Sequence, residues 1–260
     1  MRAGVVVLMY HRLGVGVLPG RELGEEAYAV APADFELQLQ VLADSRCAVV
    51  PLDGMAGPRG AIPARAVAIS FDDGNLSDHA VALPALRRRG WPATFFVTPA
   101  WVGTPGYLGW PELRELAAAG MCVGAHGLDH TLLSTLDAGR LRRHLSEARR
   151  LLEAELGRPV ELLSLPGGAG GAEVVAVANE VGFRVVAGSE PALLEPGSAG
   201  ALPRHALRRG DSIEGFRALV EQRRLALWRA SARHRTLGWL RSAVGPTLYQ
   251  RARRVWVGSA

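Results

Sequence analysis

Apolar positions follow two rhythms along the chain. Short continuous apolar runs occupy residues 5–9, 47–52, 66–71, 92–98, 121–125, 160–165 and 183–187. Runs of this length, rich in Val, Ile, Leu and Phe, predict strands buried on both faces. Between them lie stretches in which apolar residues recur at helical spacing. Residues 32–44 place Phe35, Leu39 and Leu42 on one face. Residues 78–89 stop at Gly90, and residues 110–119 begin at Trp110-Pro111 and stop at Gly120. Asp137 is placed to cap a long amphipathic helix to Leu156 closed by Gly157, and residues 172–181 end at Gly182. Proline in a first turn and glycine just past a last one are the expected punctuation. Strand and helix alternate throughout, which predicts an α/β domain with a parallel sheet or barrel and right-handed crossovers. Gly-rich loops are expected at 14–31 and 54–63, and no internal repeat is present. One barrel-like domain over residues 1–210 is predicted, followed by a helical, arginine-rich extension over residues 211–260.

Composition changes this picture only at the end of the chain. Hydrophobic content of 48% and charged content of 21% over 260 residues are ordinary for a globular protein. All 30 basic residues are arginine, and 13 of them, against three acids, lie after residue 200. The net charge there is +10, against −5 before it. In the extension, Arg223, Arg224, Arg229, Arg233, Arg235, Arg241, Arg251, Arg253 and Arg254 interleave with Leu225, Trp228, Trp239, Tyr249 and Trp256. Such a mixture suits either a helical hairpin with a solvated basic face or a helix lying on anionic lipid. No nucleic-acid motif accompanies it, so nucleic acid is not an expected partner. The two cysteines, Cys47 and Cys122, fall inside apolar runs and are expected as free thiols, in keeping with a reducing compartment. No apolar run reaches membrane-spanning length and no secretory signal is recognised. The expected location is cytoplasmic, with the inner face of the membrane open to the basic helices.

Two of the runs end in chemistry. Residues 66–71 lead into Asp72-Asp73-Gly74, and residues 121–125 into His126-Gly127-Leu128-Asp129-His130, the first histidine 52 residues after Gly74. Ligands collect beyond the carboxyl ends of strands in such folds. Two carboxylates and two imidazoles on one rim supply three ligands for a divalent metal and one free base, the kit of a metal-assisted hydrolase. Alone, each motif reads as an acidic turn or a solvent-facing histidine pair. Together with Pro166-Gly167-Gly168 after a third run, they point to a metal site.

Ser70-Phe71-Asp72-Asp73-Gly74, His126-Gly127-Leu128-Asp129-His130 and Leu165-Pro166-Gly167-Gly168 resemble, in order, the signatures of the NodB-type polysaccharide deacetylases, carbohydrate esterase family 4. Met9-Tyr10-His11 is similar to the opening strand of many members, and the resemblance runs from about residue 3 to residue 207. It implies a distorted (β/α) barrel that removes N-acetyl groups from amino sugars. It implies Asp73, His126 and His130 as metal ligands, Asp72 as general base, and the Gly167 amide as oxyanion donor. It assigns Tyr10, His11 and Pro166 to substrate binding and a late histidine, His205, to general acid, with His11 in reserve. Zn²⁺ is the expected metal, and Co²⁺ or Ni²⁺ suit the same donors. A saccharide, as an oligosaccharide or a lipid- or nucleotide-linked precursor, is the expected substrate. A non-sugar amide, or saccharide binding without catalysis, are the alternatives.

The sequence departs from the family pattern at three places. Ser164 stands where an arginine commonly contacts the base, Gly167 where an aromatic follows the proline, and Gly127 where a hydroxyl residue follows the first histidine. The arginine's contact must then be missing or come from elsewhere. Trp91, Trp101 and Trp110 fit either a sugar platform or packing under a loop, and Asp129 either an imidazole orienter or a turn cap. His79 and His144, in polar helical stretches, are expected at the surface.

Overall fold

The computed structural model describes residues 4–14, 25–55, 65–168, 170–195 and 200–244. The Gly-rich stretches at 15–24 and 56–64 lie outside them. So does the tail beyond 244, with Arg251, Arg253, Arg254, Tyr249 and Trp256.

Among the described residues, eight strands form one parallel sheet: β1 (Val5–Tyr10), β2 (Ala48–Val49), β3 (Ala66–Phe71), β4 (Thr94–Val97), β5 (Cys122–Ala125), β6 (Leu162–Ser164), β7 (Val185–Ala187) and β8 (His205–Ala206). Their order is β7-β6-β5-β4-β3-β1-β8, with β2 alongside β3. The sheet curls into a distorted barrel. Its edges meet through the segment before β8, where Leu202 bridges Ala187 of β7 while His205 and Ala206 pair with Leu8 and Met9 of β1.

Strand residues alternate between two cores, as a pleated strand requires. Val5, Val7, Ala66, Ala68, Phe96, Leu162, Val185 and Leu202 fill the inside of the curl. Val6, Leu8, Val67, Ile69, Phe95, Val123, Leu163 and Val186 face the outer helices. Those helices are α1 (Pro32–Ser45), α2 (Leu83–Arg87), α3 (Trp110–Ala118), α4 (Ala138–Leu156) and α5 (Ala172–Val181).

The predicted caps hold where local chemistry decides them. Asp137 accepts the Arg140 N–H at the start of α4, and Gly157 and Gly182 close α4 and α5 in the left-handed conformation. The predicted helix over 78–89 differs. Its first turn, Asp78–Ala82, is π-helical before α2 begins, and Pro84 has no N–H to offer Ala80.

After the barrel come α6 (Ile213–Val220) and α7 (Arg224–Val244). Phe216 and Val220 of α6 belong to the outer core, and the Cys47 thiol lies 3.4 Å from the Val220 carbonyl. The start of the extension therefore shares the barrel's packing. Both cysteines are free; Cys47 is buried and Cys122 partly so.

Candidate metal centre

Three strand ends meet at one rim because their ladders run a residue beyond the strands. Asp72 N–H donates to the Tyr10 carbonyl at 2.9 Å, and His126 N–H to the Val97 carbonyl at 2.7 Å. The chain then turns sharply. Asp73 (φ 81°) and Gly74 (φ 78°) are both left-handed. A side chain at Gly74 would also press on Val97 Cγ1 at 3.0 Å, so this position needs glycine twice over. Asp73 and His130 (φ 66°) have no such excuse. Non-glycine residues in this region store strain that persists only when the surroundings over-determine it, as they do at functional sites.

The turn brings Asp73, His126 and His130 together, with one ligand atom from each lying within 4.8 Å of the others. His126 is buried, and its Nδ1 sits 3.1 Å from the Ser164 carbonyl. That contact sets the tautomer, leaving Nε2 directed at Asp73 Oδ1, 3.4 Å away. His130 Nε2 is 3.8 Å from the same oxygen. Burial pushes the His126 pKa down to about 3, so the ring is neutral at ordinary pH, as a ligand must be. Two imidazoles and a carboxylate, pre-aimed, with Asp73 and His126 buried and His130 partly exposed, fit a divalent cation of the Zn²⁺, Co²⁺ or Ni²⁺ type. These three residues form a divalent-metal-binding triad.

Asp72 is held differently. It is buried beneath the rim and clamped by Arg204, whose Nη1 donates to Oδ1 and Nη2 to Oδ2, both at 2.7 Å. Ser164 Oγ adds a third bond to Oδ2 at 3.0 Å, and Arg204 Nε is anchored on the Gly188 carbonyl at 2.7 Å. Arg204 itself has no exposed surface. Burial alone would raise the Asp72 pKa. The guanidinium beside it wins and holds the carboxyl well below its usual range, so Asp72 rests ionised at ordinary pH. The arginine missing at position 164 is thus supplied from the segment before β8, and the small Ser164 leaves the space for it. Sequence reasoning passed over Arg204. The one available signal is the unpaired base implied by Ser164, and the late segment offers His205 as a candidate more readily than the arginine beside it.

Other expected site residues divide. His11 is half-buried, stacks on Tyr28 at 4.9 Å between ring centroids, and lies near enough to act electrostatically on both Asp72 and His126. Gly167 is exposed on the rim in a left-handed turn, φ 65°. The turn's own hydrogen bond is made by Gly168 N–H to Leu165 O.

Three assignments are corrected. Tyr10 faces the outer core, fully buried, stacked on Phe71 with its hydroxyl donating to Gln38 Oε1 at 2.8 Å, and it offers a substrate nothing. His205 follows Arg204 on an extended segment, so it faces the opposite side, where Nε2 lies 3.1 Å from the Ala192 carbonyl. Pro166 is buried, its ring behind Gly127, and supports the histidine turn from below.

Trp101 stacks on His130 at 5.0 Å and meets Tyr107 at a tilt, 4.9 Å between centroids, bordering the triad with aromatic surface, while Trp91 and Trp110 pack against the outer core. Asp129 caps its turn by accepting the Thr131 N–H at 3.0 Å. His79 is partly exposed and pairs with Glu115. His144 is no surface residue; its side chain is 10% exposed and meets the metal-binding turn.

Comparison with known proteins agrees with this geometry. Residues 59–186 match the model of the polysaccharide deacetylase family. The Bacillus subtilis (strain 168) protein YxkH, provisionally called a polysaccharide deacetylase, is 24% identical over 223 residues, 84% of this chain and 77% of that one. Among solved structures, IcaB from Ammonifex degensii superposes with a TM-score of 0.71 at 23% identity, over 84% of this chain and 97% of its own. The Streptococcus pyogenes deacetylase PplD, solved in complex with acetate, gives 0.71 at 19% identity, over 82% and 96%. At these identities the structural likeness establishes the fold.

Proposed function

Because the chain belongs to the NodB-type polysaccharide deacetylases, we propose that it removes N-acetyl groups from an amino sugar, carried in an oligosaccharide or in a lipid- or nucleotide-linked precursor. The observation that carries this is the Asp73–His126–His130 triad beside a second, buried carboxylate, Asp72, that Arg204 holds ionised and ready to accept a proton.

When bound, Zn²⁺ or a similar divalent cation polarises the amide carbonyl and acidifies adjacent water. Asp73, His126 and His130 hold it. Asp72 receives the water's proton. Arg204 and Ser164 occupy its inward lone pairs and point the remaining ones at the rim. A carboxylate kept so acidic is a weak base, and it suffices because the proton it takes has itself been made acidic. The Gly167 N–H donates to the oxyanion as the carbonyl becomes tetrahedral. The leaving amine takes its proton from His11, which lies near enough to Asp72 and His126 to act electrostatically on both, whereas His205 faces away. Trp101, with Tyr107 inclined beside it, provides the aromatic surface on which a sugar ring packs.

Both thiols are free, which suits a reducing, cytoplasmic setting. No helix among the described residues is long and apolar enough to cross a membrane. In α7, Leu225 and Trp228 are exposed at 56% and 61% beside exposed Arg224 and Arg229. This pairing of interfacial apolar groups with cations attaches the protein peripherally to anionic lipid. It co-sediments with vesicles containing phosphatidylglycerol and not with pure phosphatidylcholine; equal failure with both removes the membrane reading.

Acetate release from N-acetylglucosamine oligomers by metal-stripped protein tests the activity. Zn²⁺ or Co²⁺ restores release. Stoichiometric metal binding without release from any N-acetylated sugar, beside cleavage of a small non-sugar amide, replaces the sugar by that amide. Binding of a glycan with no hydrolysis leaves a binding protein.

A further inference from the structure

The metal-binding turn contains two left-handed residues, Gly127 and His130, both at φ 66°. Such a turn needs external support, and the support comes from outside the motif. The Leu128 carbonyl accepts the Ala100 N–H at 2.9 Å, and the His126 carbonyl accepts the Thr98 hydroxyl at 3.3 Å. One amide inside the turn, Leu128 N–H, donates at 2.9 Å to Nε2 of His144, on the second turn of α4. Side-chain help from position 127 is ruled out by space. A Cβ there would sit 3.1 Å from Pro166 Cγ and 3.4 Å from His144 Nε2, at a φ that L side chains rarely adopt. Glycine and His144 therefore form a matched pair, the first giving up a side chain so that the second can approach.

We propose that His144 is a positioning residue for the metal centre: by accepting the Leu128 N–H it fixes the backbone between His126 and His130, and with it the placing of the second imidazole ligand. To accept at Nε2 the ring must be neutral and protonated at Nδ1. Burial lowers its pKa and favours that form, against the opposing pull of Asp129. Groups that orient metal ligands are worth about 10–100-fold in metal affinity when removed. His144 acts through one peptide unit, so its effect lies at the lower end of that range.

The inference rests on the triad holding a metal, and its test separates the two. Metal-stripped protein is titrated with Co²⁺ and followed by its visible absorption, with the thermal midpoint of each apo variant measured alongside. His144→Leu binds Co²⁺ about tenfold more weakly. His144→Gln, whose amide oxygen reaches the Nε2 position, restores most of that loss. His144→Asn, too short to reach, does not. A role in packing alone would lower the thermal midpoint of both amide variants without separating their Co²⁺ affinities. Equal Co²⁺ binding by wild type, Leu and Asn variants, or a Gln variant as weak as Asn, overturns the inference. Should the Leu variant not fold, the Gln–Asn contrast decides alone. Wild-type protein that fails to bind Co²⁺ overturns the metal centre and this inference together; wild-type binding with indifferent variants overturns only the role of His144.

Discussion

The two halves of the site, though adjacent, are held by opposite means. The histidine turn is local in the chain: five consecutive residues carry both imidazoles, and backbone hydrogen bonds to Ala100, Thr98 and His144 brace it. Asp72 is held by a buried ion pair that joins residues 132 positions apart, with Ser164 bonded to both members. The turn spends backbone strain to aim neutral ligands. The base uses a desolvated guanidinium to keep a carboxylate ionised where burial would neutralise it. A metal site assembled from neutral imidazoles tolerates burial at little electrostatic cost, whereas a buried anion survives only with its countercharge in place. The lesson is that the histidine ligands are local and the base is tertiary.

Mutations can break this contrast, and the largest effect belongs to the base. Asp72→Asn lowers kcat by roughly 10²- to 10⁴-fold while Co²⁺ binding, read from absorption, stays intact. An active Asn variant would sink the proposed mechanism.

Arg204→Met comes next. Leaving Asp72 buried without its partner costs about 3–5 kcal/mol of stability, measured by urea unfolding at neutral pH. Asp72 has its pKa depressed on folding, so the pair's contribution is complete above the ordinary carboxylate pKa of about 4 and fades as pH falls toward the folded value. The stability gap between wild type and variant therefore narrows in acid. In the same variant the acid limb of the kcat profile moves to higher pH, because burial raises the Asp72 pKa once its main opponent, Arg204, is gone. A profile that does not move would mean that Arg204 serves the fold and not the base.

The smallest effect sharpens the comparison. His205→Gln leaves kcat within a few-fold of wild type, and His11→Gln costs about a hundredfold. The reverse order in steady-state rates would restore His205 as the acid and require β8 to present its other face to the site.

Most of the architecture was legible in the chain. Apolar runs of strand length, helical periodicity and caps such as Asp137 with Gly157 are short-range properties, so the alternation of the barrel and the positions of α4 and α5 follow from sequence. The same holds for Asp73, His126 and His130, because strand ends in parallel folds deliver their next residues to one rim. Tertiary structure alone decided which way neighbouring side chains face. Tyr10 and His11 are adjacent, as are Arg204 and His205, and alternation along an extended segment sends one of each pair to the site and the other away. No periodicity announces which, since a strand buried on both faces has no polar side to set its register. Nor could composition pick Arg204 out of 30 arginines. Its role depends on the curl that brings the segment before β8 between β7 and β1, a contact that exists only after the sheet has closed.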